Sequence, residues 1–290
     1  MRVVERNDID IAQWNQLVAS TKEASFFSYV WYLDAVAENW CILIDEDYSS
    51  GIALPYSVRL GIKTLYAPIF VRYLEVLGEN VDLSMIQSEI LQHFKHLNFS
   101  TKQKIFQIST ELVFQVIENK ESRRIGSQAK RMFKKAEKNE LVVTTSTDYS
   151  LVHKIILAEL TNKHQGLNDT SLKYLEQLFK NAEQKGVLQV YQLKENGGVV
   201  CLRNEQQTLY LKGAVEESIK KNGGMYSLIN QSVIDSLNQG CLFDFGGSNA
   251  KGVQQFNHNL GGKNVIYYYY QTNKYPWWFK IAKSLNSFRK

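Results

Sequence analysis

The sequence predicts an α+β fold with mixed sheets flanked by helices. Two observations carry this prediction. Segments with the alternating pattern of strands and segments with the 3.6-residue period of helices follow one another along all 290 residues. In addition, residues 208–245 show a strand, a glycine loop, an amphipathic helix and a second strand in succession. A helix is the usual connection of a parallel pair, so this βαβ unit predicts parallel pairing within an otherwise antiparallel arrangement.

Residues 1–118 are predicted to form a first domain. A turn is expected at 47–50, where polar residues separate two strand patterns. His93 and His96 lie three residues apart on a predicted helix, and since no carboxylate or further histidine accompanies them, we predict no metal site. The predicted helices of this domain are 11–19, 29–38 and 83–97, and the predicted strands are 2–4, 40–44, 51–58, 62–66, 104–109 and 112–116.

A strongly basic segment, 119–139, is predicted to be a linking helix. Between Lys120 and Lys138 there are eight basic and two acidic residues, a local charge of +6 in a chain whose net charge is +5. An apolar stripe with helical spacing runs along it, formed by Ile125, Ala129, Met132, Phe133 and Ala136. Two interpretations stay open for the basic face, which includes Arg124 and Arg131. It is either a solvated helix surface or a wall that contacts the phosphates of a nucleotide, coenzyme A or RNA.

Residues 140–273 are predicted to form a second domain that contains the βαβ unit. Two helices and an antiparallel set of strands precede that unit, and one strand follows it. The predicted helices are 150–162, 171–185, the apolar-periodic segment after Gly224, and 251–256. Ser248 or Asn249 could cap the last of these helices. The predicted strands are 141–145, 187–193, 199–202, 208–214, 242–245 and 264–271.

The segment 218–227 is a candidate anion-binding loop. Gly223 and Gly224 directly precede a predicted helix, where unpaired backbone amides and the positive end of the helix dipole favour a pyrophosphate. A plain turn is the alternative interpretation. As a donor site, the segment would contribute these residues: Ser218, Gly223, Gly224, Met225, Tyr226 and Ser227.

The second strand of the unit carries an acid between two aromatic residues, in Phe243-Asp244-Phe245-Gly246-Gly247-Ser248. Because successive side chains of a strand face opposite sides, the two phenylalanines are expected in one layer and Asp244 on the other side. The two glycines allow a tight turn or a close approach to a ligand. Asp244 therefore has two open roles, one in a functional site and one in bonding nearby backbone amides.

Four spaced motifs support a family resemblance: Tyr210-x-x-Gly213, Gly223-Gly224-Met225-x-Ser227, the motif around Asp244, and Gly252-Val253-x-x-Phe256. Together they resemble the FemA/FemB/FemX group of peptidoglycan-bridge aminoacyltransferases and their GNAT-fold acyltransferase relatives. The resemblance covers residues 120–270 well and residues 1–118 loosely. It implies two GNAT-like lobes, with the acceptor bound in a cleft between them. The family usually has lysine directly after the phenylalanine of the last motif, whereas this chain has Asn257, followed by His258.

Acyl transfer to an amine requires a stabilised oxyanion and a route for protons. Tyr210 could donate a hydrogen bond to the oxyanion or leaving group, and Lys212 could hold an anionic part of a substrate. Asp244 could orient the amine or accept its proton, and His258 is a further candidate for proton transfer. Ser248, Asn257, Arg124 and Arg131 are the remaining candidates for substrate binding.

Composition predicts a soluble cytoplasmic protein. The chain is 44% hydrophobic and 22% charged, shows no run of about 18 apolar residues, and has no apolar segment at its beginning that is typical of a signal peptide. Its cysteines, Cys41, Cys201 and Cys241, lie far apart in strand patterns and are expected to be reduced and buried. Residues 274–290 suggest an aromatic and basic C-terminal helix, either packed on the first domain or in contact with a membrane surface.

The functional prediction is N-acyl or aminoacyl transfer to an amine, with a small molecule or a cell-envelope precursor as acceptor. Acyl-CoA would suit the glycine loop and aminoacyl-tRNA would suit the basic helix, so both donors stay open. We predict no tightly bound cofactor and no DNA partner. The alternative is a non-catalytic GNAT-like module that binds an anionic ligand or a partner protein.

Overall fold

In the computed structural model, the described residues are 1–22, 24–163, 169–247 and 250–272, with the backbone alone for 159–163. The chain divides into two compact units. The first contains Met1–Leu112 and residues 267–272, and the second contains Val113–Ile266. The α+β class predicted from the sequence is confirmed, whereas the predicted domain boundaries stay predictions.

The first unit contains an antiparallel sheet with one parallel pairing, covered by helices. Its elements are β1 (Arg2–Glu5), α1 (Ile11–Ser20), α2 (Val30–Val36), β2 (Asn39–Ile44), β3 (Gly51–Arg59), β4 (Ile62–Tyr66), β5 (Val76–Leu77), α3 (Leu83–His93) and β6 (His96–Thr101). The strands β1 to β4 pair antiparallel in sequence order, β5 pairs with β3, and β4 pairs parallel with β6. The helix α3 connects the parallel pair, which makes a second βαβ arrangement that the sequence did not reveal.

Two predictions near α3 are wrong. The predicted helix 83–97 ends at His93. Residues 104–109 form no strand, and Ile108 in this segment is 93% exposed. The strand is β6 instead, which begins at His96, so the two histidines do not share a helix face. Leu97 and Phe99 of β6 are buried, and this strand pairs on one side with β4 and on the other with residues 268–272. Pairing with strands distant in sequence decides this conformation.

The second unit contains the βαβ unit that the sequence predicts. Its elements are β7 (Thr110–Ile117), α4 (Ser127–Lys138), β8 (Thr144–Ser146), α5 (Ser150–Lys163), α6 (Asp169–Gln184), β9 (Leu188–Gln192), β10 (Gly197–Arg203), β11 (Gln207–Val215), α7 (Glu217–Lys221), α8 (Gly224–Asn238), β12 (Leu242–Asp244), α9 (Lys251–Asn259) and β13 (Lys263–Thr272). The first residues of β7 and the last residues of β13 belong to the first unit. The strands lie in the order β7, β12, β11, β10, β9, β8. Strands β11 and β12 pair parallel, and the other pairs in this order are antiparallel.

The helix α8 crosses over between β11 and β12 and packs on strands β9 to β12. Its residues Leu228, Ile229 and Val233 share a buried cluster with Phe243 and Phe245 of the β12 segment. The two phenylalanine rings lie 5.1 Å apart and nearly perpendicular. They therefore lie in one layer, as the alternation of the sequence predicts.

The basic helix α4 packs on α8 and α9 through the predicted apolar stripe. Ala129 and Ala136 are buried, and Ile125, Met132 and Phe133 pack against the same cluster. Arg123, just before this helix, is used internally: its Nε donates to Leu260 O at 2.9 Å and its Nη2 donates to Asn230 Oδ1 at 2.7 Å. Burial lowers the pKa of this guanidinium.

The three cysteines are free and buried, as expected. Within the described residues, no helix combines the length and the hydropathy that a membrane span requires. The predicted C-terminal helix 274–290 lies outside the described residues.

Candidate functional site

A pocket in the second unit opens where the parallel strands β11 and β12 separate. Their pairing ends at Leu209 and Asp244, while β11 continues to Val215. The backbone amide of the next residue, Phe245, donates to Gln115 O of β7 at 3.1 Å, which continues the antiparallel pairing of β12 with β7. In β11 the register against β10 shifts, so that Cys201 pairs with Tyr210 and Val200 with Lys212. This β-bulge leaves one extra residue in β11 and bends the strand away from its partner.

The turn after β12 closes one side of this opening. Gly246 has a φ of +76°, and a β-carbon at this position would collide with the carbonyl oxygen of Tyr210. Asp244, only 2% exposed, accepts a hydrogen bond from Gly246 N at 2.9 Å through Oδ1. The glycine that the sequence singled out is thus required by the conformation and by a close backbone approach.

The pocket has a volume of about 350 Å³ and is mainly apolar. Tyr210 of β11 and Phe245 lie at the strand ends, and the remaining walls come from α7, α8 and α9. The full set of lining residues is Tyr210, Lys220, Met225, Tyr226, Ile229, Phe245, Gly252, Val253, Phe256 and Asn257. Of the predicted site residues, the structure therefore brings together Tyr210, Met225, Tyr226 and Asn257.

Tyr226 connects the pocket with the basic helix. Its ring lies 4.5 Å from that of Phe256 and 6.4 Å from that of Phe133 on α4. Burial raises the pKa of the Tyr226 hydroxyl, and the positive charge of Arg131 opposes this shift. The side chain of Arg131 is exposed to solvent. Its positive charge nevertheless acts on Tyr226, which lines the pocket.

Asn257 is held by a chain of buried amides. It is 2% exposed, and its Nδ2 donates to Gln115 Oε1 at 2.9 Å. Gln115, which is fully buried, donates in turn through Nε2 to Asn264 Oδ1 at 2.9 Å. Within the described residues, the hydrogen bond of the Asn257 side chain is the one that Nδ2 makes to Gln115. The position that carries lysine in the resembled family is here a neutral, oriented amide.

The two glycines before α8 are required by packing inside the protein. Gly223, the N-cap of α8, has a φ of +95°, and a β-carbon there would collide with the carbonyl oxygen of Met132 on α4. A β-carbon at Gly224 would meet Ile219 Cγ2 at 2.5 Å and Leu193 Cδ1 at 3.0 Å. Replacing Gly224 by valine would therefore disturb the packing of α8 against these residues. That the first amides of α8 contact a donor stays a prediction.

The segment 218–227 is not one continuous loop. Ser218 lies exposed in the short helix α7, and Ser227 lies in the first turn of α8, where its backbone amide donates to Gly223 O at 3.0 Å. Lys220 of α7 lines the pocket and is exposed. The nearby Lys135 of α4 donates to Lys221 O at 2.8 Å, at the C-terminal end of α7.

The other predicted site residues lie outside the pocket lining. Arg124 is exposed and donates to the carbonyl oxygens of Glu121 and Arg123. His258 Nδ1 lies 2.9 Å from Gly262 O, and since a carbonyl only accepts, Nδ1 carries the hydrogen. Lys212 lies on β11 two positions beyond Tyr210, past the register shift that interrupts side-chain alternation.

One predicted residue, Ser248, lies outside the described residues, as does Asn249. The helix α9 begins at Lys251 with Ala250 as its N-cap, and no side chain caps it within the described chain. The capping role predicted for Ser248 or Asn249 falls on residues outside the described ones and stays a prediction.

Several pocket residues were not among the predicted site residues, namely Lys220, Ile229, Phe245, Gly252, Val253 and Phe256. Val253 and Phe256 share one helix face with the predicted Asn257 at the spacing i, i+3, i+4, and Ile229 lies four residues after the predicted Met225 on α8. This spacing was a usable signal. Gln115 offered none, because a single polar residue in an apolar strand pattern does not indicate which partner it will meet.

Comparison with known proteins shows the fold. No protein-family model matches the sequence, and no curated protein is similar to it in sequence. Among solved structures, a conserved protein of unknown function from Bacteroides thetaiotaomicron matches with a TM-score of 0.62 and 11% identity, over 90% of this chain and 97% of that chain. FemX matches with a TM-score of 0.59 and 11% identity, over 94% of this chain and 98% of that chain.

A third similar structure is the C-terminal domain assigned to a lysylphosphatidylglycerol synthetase from Agrobacterium fabrum. Its TM-score is 0.52 at 8% identity, over 90% of this chain and 91% of that chain. The resemblance to FemX and its GNAT-fold relatives is thus confirmed at the level of fold. Identities this low do not transfer an activity, because one fold supports many functions.

Proposed function

We propose that this protein is an acyltransferase or aminoacyltransferase of the GNAT/FemAB type, and that the pocket between β11, α8 and α9 holds the transferred group. The observation that carries the proposal is the opening of the sheet at Leu209 and Asp244, directly beside Tyr210. Ligands of open sheets bind at the carboxyl ends of parallel strands, where this opening lies. The fold shared with FemX supports the same assignment.

The proposed reaction is attack of a neutral amine on the carbonyl carbon of an activated acyl donor. A C–N bond forms, the electron pair of the carbonyl moves to oxygen, and on collapse the bond to the thiol sulfur or ribose oxygen breaks. The amine loses one proton and the leaving group gains one. Tyr210 lines the pocket, and its proposed role is to donate a hydrogen bond to the oxyanion or the leaving group, since such a donor contributes substantially to acyl transfer.

Asn257 supplies the second polar contact of the pocket. Because Gln115 engages its Nδ2, the oxygen of this amide is the atom presented to a substrate N–H. It therefore suits the amine, or the amino group of an aminoacyl donor, better than it suits an oxyanion. The resembled family has a lysine at this position, and the neutral Asn257 supplies no positive charge. In this proposal, Tyr210 and the backbone of the pocket therefore stabilise the oxyanion.

The donor is proposed to carry phosphates that meet the positive charges around the pocket. Lys220 lines its wall, and Arg131 acts on Tyr226 from the neighbouring helix. The N-terminal end of α8 adds the positive end of a helix dipole. Both acyl-CoA and aminoacyl-tRNA fit this description. The acceptor is proposed to be an amine of a small molecule or cell-envelope precursor, by analogy with the fold of FemX and in a cytoplasmic setting.

A donor screen tests the proposal. Acyl-CoAs and charged tRNAs are added in turn, and a donor that binds only the native state raises the melting temperature. With that donor, Tyr210→Phe keeps the ring but removes the hydroxyl, so turnover should fall roughly 10²- to 10³-fold with little change in donor affinity. Tyr149→Phe is the matched control, because Tyr149 belongs to the same unit and does not line the pocket. Equal turnover of both variants would contradict the role of Tyr210.

The second candidate is a non-catalytic module with the same fold. It is favoured by one observation, the neutral Asn257 at the position where the resembled family has lysine. If no acyl or aminoacyl donor raises the melting temperature, while an anionic ligand or partner protein does, this second function replaces the first.

A further inference from the structure

We infer that the pocket selects a neutral and largely apolar transferred group, such as a branched aliphatic acyl group or a neutral aminoacyl group. This inference rests on the proposed function and names the substrate class of the same pocket. It concerns the group that is transferred and not the phosphate-bearing part of the donor.

The walls of the pocket are the first argument. Met225 and Ile229 face it from α8, Val253 and Phe256 from α9, and Phe245 from the end of β12. A ligand group that buries apolar surface against these side chains gains about 25 cal/mol for each Å² removed from water. A polar group in the same place loses its hydration without gaining partners.

The distribution of charge is the second argument. Among the described lining residues, Lys220 carries the only formal charge, and none is a carboxylate. Asp244, the nearest acid in sequence, is 2% exposed and directs Oδ1 to the amide of Gly246. A lysyl or arginyl side chain in the pocket would therefore be desolvated without a counter-charge, in a region where Arg131 already adds positive potential to Tyr226.

Anionic groups are disfavoured for a different reason. Lys220 is exposed, so its ammonium is hydrated and screened, and pairing with it would leave the apolar walls uncovered. The polar atoms of the other polar lining residues are neutral, since these residues are Tyr210, Tyr226 and Asn257. These atoms suit the carbonyl and one N–H of a neutral group.

Two sets of donor analogues test this inference. Isovaleryl-CoA, succinyl-CoA and β-alanyl-CoA differ mainly in the charge of the acyl group, and the same holds for amide-linked 3′-leucyl-, 3′-glutamyl- and 3′-lysyl-adenosine. Affinities are measured by calorimetry. In whichever set binds, we expect the neutral member to bind at least about 30-fold more tightly than both charged members.

A change of specificity sharpens the test. Val253 is 41% exposed, so Val253→Glu should fold and should place a carboxylate at the pocket. We expect it to improve binding of the β-alanyl or lysyl compound about 10-fold relative to the neutral one. Ile234→Glu is the matched control, because Ile234 is 37% exposed in the same unit and does not line the pocket.

The outcomes separate the inference from the proposed function. Equal or tighter binding of a cationic member overturns the inference while leaving acyl transfer in place. Preference for an anionic member that disappears in Lys220→Ala overturns it as well, since Lys220 would then select the group. Failure of all six compounds to bind overturns the inference, and if the donor screen finds no donor either, the proposed function itself is contradicted.

Discussion

Each of the two units contains a βαβ arrangement, and the two arrangements differ at the N-terminus of the connecting helix. In each, a helix connects a parallel pair of strands: α3 joins β4 to β6, and α8 joins β11 to β12. The N-terminus of α3 is capped by Asp82, whose side chain accepts from the amides of Ser84 and Met85. The N-terminus of α8 has Gly223 as its cap, and no side chain in the described chain bonds its first amides.

This difference distinguishes the two helix N-termini as places for an anion. A capping carboxylate satisfies the first amides of a helix and neutralises the positive end of its dipole, so α3 offers no place for an anion. At α8 the glycine lets α4 pack closely against the helix start without supplying a negative charge. The pocket lies beside this second helix, and Met225, Tyr226 and Ile229 of α8 line it.

The largest expected effect concerns the glycine cap. Gly223→Ala should lower the free energy of unfolding by about 3 kcal/mol or more, because a positive φ and a collision with Met132 O both oppose a β-carbon. Gly240→Ala, just after the C-terminal end of α8, is the matched control. Its φ is +74° and a β-carbon there would meet nothing within 4 Å, so the cost should be about 1–2 kcal/mol.

Urea unfolding of both variants measures this difference. Equal losses at the two ends of α8 would show that conformation alone requires Gly223. Close packing of α4 would then not explain why glycine, and not a capping carboxylate such as Asp82, precedes α8.

The next expected effect compares buried carboxylates of the two units. Glu75 in the first unit is 3% exposed, and both of its carboxyl oxygens accept from Ser25 N at 2.9 Å, while Ser28 Oγ donates at 3.3 Å. Burial raises the pKa of Glu75 from 4.5 to about 7, against the opposing effects of the Ser25 amide, Lys102, Ser28 and Arg72. Asp244 in the second unit is buried at a glycine turn.

The sign of the pH dependence follows from this shift. Between pH 4.5 and 7 the folded protein binds more protons at Glu75 than the unfolded chain, so its contribution to stability is complete below pH 4.5 and is lost as the pH rises through 7. The loss is on the order of 3 kcal/mol. Glu75→Gln should remove this slope in urea unfolding at pH 5, 6, 7 and 8. Asp244→Asn is measured alongside, as the variant of the buried carboxylate in the second unit. Identical slopes of the free energy of unfolding against pH for Glu75→Gln and the unchanged protein would contradict the raised pKa of Glu75.

The smallest expected effect concerns the basic helix. Arg131 and Lys135 lie on one side of α4 at i and i+4, and Lys130 and Lys134 lie on another. Once a donor is identified, Arg131→Ala should weaken its binding a few-fold and flatten the dependence of affinity on salt, because Arg131 acts on the pocket residue Tyr226. Lys130→Ala should leave both quantities nearly unchanged. If neither variant alters the salt dependence, the helix face is solvated surface.

Much of the second unit could be predicted because its signals are local. The apolar stripe of α4, the βαβ unit and the buried pair Phe243 and Phe245 all follow from periodicity within short segments. The first unit was predicted less well at β6, whose conformation depends on pairing with strands remote in sequence. The residues of the pocket were found in part. Tyr210, Met225, Tyr226 and Asn257 lie in or directly beside the family-like motifs, whereas Lys220 and Ile229 lie outside these motifs and do not stand out in the sequence.

The sequence by itself determined the α+β class, the amphipathic basic helix, the buried cysteines and the turn at Gly246. Each of these depends on period, composition or a conformation that a few neighbouring residues impose. Tertiary structure alone decided that Gly223 and Gly224 serve close packing, that Gln115 orients Asn257, and that His258 bonds the carbonyl of Gly262. The physical reason is that steric contact and hydrogen bonding act over a few ångströms, so a residue's role is fixed by neighbours that folding brings from distant positions in the chain.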